Sequence, residues 1–302
     1  MVLNFLSQRL FKHPFIAGKY LGLLMILLMS LVSCQRQTPK IVICSKNFTE
    51  QLILGELLAV TIETQTDIPV ERRFNLAGEL CHQGLVAGEI DIYVEYTGTA
   101  FTNILKQPPI TDARQVYNYV QQIYPQQFQA QWFPPLGFNN TFAIVVRGTD
   151  ARKLGLKTIT DVAPYTPQWQ AGFGYEFVER QDGFPGLAQT YDLKFSGPPK
   201  TMDLGLIYRA LIDKQVDLVA GNSTDGLIDQ LDLVILEDNQ QYFPPYEAAP
   251  VVRQATLDQY PELTEIFNSL AGTISQSEMQ KLNYQVDGER RPIKRVVQDF
   301  IE

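Results

Sequence analysis

The chain reads as an α/β protein, and three observations say so. Short apolar, β-branched runs alternate with amphipathic stretches from Lys40 onward. The first run, 41–44, passes through the polar turn Ser45-Lys46-Asn47-Phe48-Thr49 into Leu54, Leu57, Leu58, Thr61 and Ile62 at helical spacing. With 302 residues, 45% hydrophobic and 19% charged, the chain can bury a large core and is not disordered.

In order, the run at 41–44 is short and apolar enough for a buried strand, and the spacing that follows it predicts a helix. Such a turn lies at a strand's carboxyl end and a helix N-terminus, where open α/β sheets place ligands and free N–H groups meet anions. Further strands are predicted at 71–74, 90–94, 142–146, 216–220, 233–236 and 249–253, and helices around 78–87, 112–124, 203–213, 261–270, 275–286 and 292–301. Ser275 with Glu278 three residues on forms a capping box for the penultimate helix.

Residues 1–33 carry Arg9, Lys12 and Lys19 and no acid, then an apolar run at 21–29 and Leu31-Val32-Ser33-Cys34, followed by the polar stretch 35–40. This is export-signal architecture, with an apolar run shorter than the ~20 residues a spanning helix needs. Leu-Val-Ser-Cys resembles a bacterial lipobox, which implies cleavage before Cys34, lipidation of Cys34 and a tether at 34–40. An uncleaved anchor is the plainer alternative. Removing three bases deepens the formal charge from −8 to −11, so nucleic acid is an unsuitable partner. With His82 the only histidine outside the signal, a Cys/His zinc site is nearly excluded, and neither metal nor cofactor is expected. Cys44 and Cys81 fit either a disulfide or two buried thiols.

An internal echo bears on domain plan. Phe133-Pro134-Pro135 precedes Val145-Val146-Arg147, and Phe243-Pro244-Pro245 precedes Val251-Val252-Arg253. Proline pairs favour extended backbone, so each segment suits a crossing between two lobes. Pro-Pro also occurs at 108–109 and 198–199, and two unrelated loops fit equally well on this ground alone.

Enzyme motifs are scarce: the sequence has no Walker P-loop, HExxH, GxSxG or CxxC. Aromatics are plentiful, with 14 Tyr and 17 Phe, and Tyr96, Phe142 and Tyr246 interrupt otherwise polar turns. Ring faces grouped in a cleft attract a cation, quaternary ammonium above all, and Arg180 offers a planar fork for a carboxylate. Taken singly, each aromatic is more often a packing residue and Arg180 more often a structural charge. Lys46 alone equally suits an ion pair with Asp91 or Glu95, and Tyr208, on a predicted helix, suits core rather than cage.

Five segments in order, Ser45-Lys46-Asn47-Phe48-Thr49-Glu50-Gln51, Gly88 through Thr99, Gly137-Phe138-Asn139-Asn140-Thr141-Phe142, Ser223-Thr224-Asp225-Gly226 and Phe243-Pro244-Pro245-Tyr246, resemble the substrate-binding proteins of ABC importers for glycine betaine, choline and related osmoprotectants. The resemblance covers essentially the whole chain after the signal. It implies the type II periplasmic-binding-protein fold, with one lobe from 41–138 and 246–302, an inserted lobe at 139–245, and a ligand cleft between them. It implies that Tyr96, Phe142 and Tyr246 wall an ammonium cage and that Arg180 holds a carboxylate. Lys46, Gln51 and Thr99 would add polar contacts, Phe177 packing, and Asn140 its backbone carbonyl. Phe142 stands where tyrosine is common, and Asn222 where many members have a fourth aromatic, so Asn222 is expected to meet the ligand as a polar group.

The expectation is therefore an exported, lipid-anchored, monomeric solute-binding protein on the periplasmic face of a bacterial membrane, no enzyme, handing a quaternary ammonium compound to an ABC permease. The alternatives are a binding protein for a different betaine or an amino-acid-like solute, and, by fold analogy alone, an enzyme on the same fold.

Overall fold

The computed structural model describes residues 40–302, so the export signal, Cys34 and most of the 34–40 tether lie outside the described residues. The strands are β1 (Ile41–Lys46), β2 (Val70–Leu76), β3 (Ile92–Tyr96), β4 (Ala130–Trp132), β5 (Phe142–Arg147), β6 (Ala171–Gly174), β7 (Lys200–Met202), β8 (Leu218–Asn222), β9 (Leu233–Leu236) and β10 (Ala248–Arg253). They form two five-stranded mixed sheets, ordered β2-β1-β3-β10-β4 and β7-β6-β8-β5-β9. In each, the first three strands run parallel and the fourth is antiparallel to both its neighbours.

The sheets are built alike, and the Phe-Pro-Pro echo marks where. The chain leaves the first sheet after β4 and enters the second as β5; it leaves the second after β9 and returns as β10, so each crossing fills the fourth place of the sheet it enters. Arg147 at the end of β5 pairs with Asp217, just before β8, at 2.7 Å, and Arg253 at the end of β10 pairs with Asp91, just before β3, also at 2.7 Å. The crossings run side by side: Asn139 and Glu247 form an antiparallel bridge, the Asn140 amide donates to the Tyr246 carbonyl at 3.0 Å, and the Tyr246 amide donates to Asn139 Oδ1 at 2.6 Å.

All six residues of β1 are buried, as expected of a strand covered on both faces. The helix Thr49–Gln65 packs on it and is itself covered by Gln276–Asp287 and Ile293–Ile301, which is why its apolar residues surround the helix rather than form one stripe. The Ser275–Glu278 capping box forms. Differences from the sequence reading have physical causes. β6, Ala-Gly-Phe-Gly, has almost no strand propensity, yet Gly172 is required because a Cβ there would lie 2.8 Å from Val216. Ile90 and Val216 precede their strands, which begin after Asp91 and Asp217. The helix predicted at 112–124 runs through Pro125 to Phe128, and the one at 203–213 is a 3-10 turn, Leu204–Leu206, followed by Ile207–Ile212. Tyr208 packs in a buried cluster with Leu211 and Val219.

Cys44 and Cys81 are joined in a disulfide, both fully buried, tying β1 to the helix Leu80–Ala87. It closes a 37-residue span, which in the chain-entropy account stabilises the fold by about 3–4 kcal/mol. The double variant Cys44→Ala/Cys81→Ala is expected to lose that much in urea unfolding; a loss under about 1 kcal/mol would show that the unfolded chain gains little freedom from the cut. Among the described residues no helix is long and apolar enough to cross a membrane.

Candidate ligand cavity

The carboxyl ends of the parallel strands of both sheets converge on one cavity of about 350 Å³, at the small end of small-molecule sites. From the first sheet come Lys46 at the end of β1 with Asn47 and Phe48 after it, and Tyr96 at the end of β3 with Thr99 after it. From the second come Phe177 and Arg180 after β6, Met202 at the end of β7 with Leu204 after it, and Asn222 at the end of β8. Asn140, Phe142 and Tyr246 are contributed by, or lie beside, the crossings.

Nine of the ten residues singled out in the sequence line this cavity; Gln51 does not. Its side chain is buried in the first helical turn, where Oε1 accepts from the Lys46 amide at 3.4 Å. Asn140, expected to present its carbonyl, is engaged through its side chain, whose Nδ2 donates to Glu50 Oε1 at 2.8 Å.

The aromatic rings pack edge to face. The Phe142 centroid lies 4.8 Å from that of Phe177, 5.5 Å from Tyr246 and 5.7 Å from Phe243. Gly98 makes this approach possible, because a Cβ there would sit 2.6 Å from the Tyr246 ring. Phe48 stacks on Tyr96 with centroids 6.3 Å apart.

Both cations of the cavity are already paired, in keeping with the plainer reading of each. Lys46 Nζ donates to Glu95 at 2.6 Å and lies 5.7 Å from the Tyr96 centroid. Arg180 donates from Nε and Nη2 to Asp182, at 2.8 and 2.7 Å, and from Nη2 to Thr99 Oγ1 at 3.3 Å. Its guanidinium carbon sits 5.3 Å from the Phe142 centroid and 5.9 Å from that of Tyr246. Nη1 is the nitrogen not spent on Asp182.

Two carboxylates that the sequence reading gave no role hold the rings from behind. Asp182, fully buried, also accepts from Tyr246 Oη at 2.6 Å and Thr102 Oγ1 at 2.7 Å. Burial pushes its carboxyl up, but the Arg180 guanidinium and these hydroxyl bonds outweigh burial and hold it below the usual carboxylate range. Glu50, buried in the first turn of Thr49–Gln65, accepts from Tyr96 Oη at 2.6 Å, Asn140 Nδ2 at 2.8 Å and Asn283 Nδ2 at 3.3 Å, and burial pushes its carboxyl up. Burial, with the neighbouring carboxylates, also pushes the Tyr96 and Tyr246 hydroxyls well above the ordinary tyrosine range. A lone sequence offers little to find either acid: Glu50 reads as a helix-dipole partner and Asp182 as a loop residue. Among the described residues no cluster of three His, Cys, Asp or Glu is placed to hold a metal ion.

The family model described as "Substrate binding domain of ABC-type glycine betaine transport system" matches residues 39–302. The ergothioneine transport permease/ergothioneine binding protein EgtU of Helicobacter pylori (strain G27) is 34% identical over 264 residues, spanning 87% of this chain and 47% of that longer protein. The carnitine transport binding protein OpuCC of Listeria monocytogenes is 35% identical over 257 residues, 84% of this chain and 83% of its own length. A crystal structure titled glycine betaine/carnitine/choline ABC transporter superposes with a TM-score of 0.73 at 34% identity, covering 87% of this chain and 97% of the other.

Proposed function

The chain belongs to this family of ABC-type substrate-binding domains, and from that premise we propose that it captures a zwitterionic or cationic quaternary ammonium compound and delivers it, chemically unchanged, to a membrane permease. The carrying observation is the convergence of Tyr96, Phe142 and Tyr246 on one cavity whose wall also holds Arg180. In this reading the three rings receive the ammonium group and Phe177 backs Phe142. Arg180 Nη1 meets the carboxylate while Asp182 fixes the fork, and Thr99 and Lys46 supply polar edges. Residues 41–138 with 246–302 form one lobe and 139–245 the other. A ligand touching both favours closure by the contacts it makes only in the closed state.

A specific observation favours a larger member of the class. Phe48, Met202 and Leu204 continue the lining past the three rings, and Asn222 offers an amide where a fourth ring would close on a bare trimethylammonium head. Carnitine and ergothioneine, named for the two relatives above, have polar groups beyond that head.

The test is a thermal-shift screen of the full chain against glycine betaine, choline, carnitine, ergothioneine and amino acids. A ligand at a hundred times its Kd stabilises the folded state by about 2.7 kcal/mol, so binders separate cleanly. A melting temperature raised by no quaternary amine would end the proposal; one raised by amino acids alone would redirect it.

A further inference from the structure

We propose that Glu50 is the buried counter-charge of the ligand's ammonium group, acting through Tyr96, and is therefore a positioning residue of the cage. The inference rests on the quaternary ammonium reading above. Charge balance around the cavity carries it. Lys46 and Glu95 form one buried neutral pair at 2.6 Å, and Arg180 and Asp182 another at 2.7 Å. Glu50 is just as buried, 3% exposed, and forms no ion pair among the described residues. Glu176 and Asp203 on the rim are exposed and screened by water. With these five groups ionised their charges sum to −1. Asp225, held behind Asn222 and Gly221 by Tyr208 Oη and the Asn222 amide without an ion pair among the described residues, adds to a deficit that a cationic head fills and a neutral solute does not.

Only neutral donors reach Glu50: burial pushes its carboxyl up, and their hydrogen bonds pull it part of the way back. Tyr96, Asn140 and Asn283 reach it from β3, from the crossing and from Gln276–Asp287, and each bond favours the ionised form although burial outweighs them. A buried anion with no cation is costly to the fold. The bond from Tyr96 Oη, 2.6 Å long, links that charge to a ring lining the cavity and makes the ring more electron-rich, which strengthens its hold on a cation. Tyr246 makes the matching bond to Asp182, but Arg180 already neutralises Asp182. Glu50 thus lies behind the cavity wall with no cation beside it, and the Tyr96 ring is its link to a ligand.

Calorimetry of the full chain with glycine betaine and with choline, alongside melting of the unliganded protein, tests this with Glu50→Gln. Both ligands should weaken by about tenfold or more, because both carry the ammonium group. The unliganded Tm should hold or rise, because the variant no longer buries an uncompensated charge. Affinities within about twofold of wild type, a loss confined to glycine betaine, or a fall in Tm alongside lost binding would each overturn the proposal. Should Glu50→Gln fail to fold, Tyr96→Phe cuts the link while keeping the ring, and unchanged affinity for both ligands overturns it equally. A wild type that binds neither these ligands nor the other quaternary amines of the screen overturns the functional reading itself, and is seen before any variant is made.

Discussion

Arg180→Ala lowers folding stability by about 3–5 kcal/mol, because it strands Asp182 as a buried charge without its cation. The wild-type pair is nearly dry, with Arg180 at 6% and Asp182 at 0% side-chain exposure. Adding Asp182→Asn removes the stranded charge and restores most of the lost stability, while Tyr246 and Thr102 still have an oxygen to donate to. Binding separates from stability in that double variant. In the proposed binding mode a betaine loses the guanidinium that faces its carboxylate, about 2–5 kcal/mol or thirtyfold and more in affinity, whereas choline, with no carboxylate, loses much less. Equal losses for the two ligands by calorimetry would remove Arg180 from the carboxylate role. The sign with pH follows from Asp182. Its folded pKa is depressed, so the pair's contribution is complete above the ordinary carboxylate value near about 4 and is lost as pH falls through the lower folded value.

Tyr246→Ala is the second large effect. The ring is 2% exposed, packs against Phe142 and caps the Gly98 turn, so truncation costs about 3–5 kcal/mol, as for other buried large aromatics. In the proposed cage it also opens one of three walls and weakens a quaternary ammonium ligand by about tenfold or more. Tyr246→Phe separates the two contributions: the ring stays, and only the bond to Asp182 is lost, about 1.5–3 kcal/mol for a bond to a charged group. Urea unfolding and calorimetry on both variants read this. If the phenylalanine variant binds as poorly as the alanine variant, the hydroxyl network and not the ring face carries recognition.

The α/β class was legible because alternation and helical spacing are local. So was the neighbourhood of the cavity, since it gathers at strand ends that the motifs flank. Sheet order was not legible. β6 hides its strand in glycines that a close neighbour demands, and nothing in Ala-Gly-Phe-Gly signals that neighbour. The Phe-Pro-Pro echo did carry topology, but its second half, the Arg–Asp pairs at 147 with 217 and 253 with 91, becomes visible only when the strands are in place. Lys46 and Arg180 both line the cavity; the Glu95 partner of Lys46 was one of two foreseen, whereas Asp182, two residues from Arg180, was not assigned to it. Glu50 and Asp182 escaped because Tyr96 lies 46 positions from Glu50 and Thr102 lies 80 from Asp182, and a hydrogen bond across such a distance leaves no periodicity behind.

The paired crossings have a consequence for how such a protein changes its diet over evolutionary time. Asn140 and Tyr246 are at once strap and cavity wall, bonded to each other by backbone and to Glu50 and Asp182 by side chain. In the proposed two-lobe cycle, substitutions there cannot retune selectivity alone, since whatever alters the grip on a solute also alters how far the resting molecule leans toward its shut form. Positions such as Phe48, Met202 and Leu204, which line the cavity away from the strap, are the ones where, in the proposed cycle, a new solute can be adopted while the rhythm of loading and unloading is left intact.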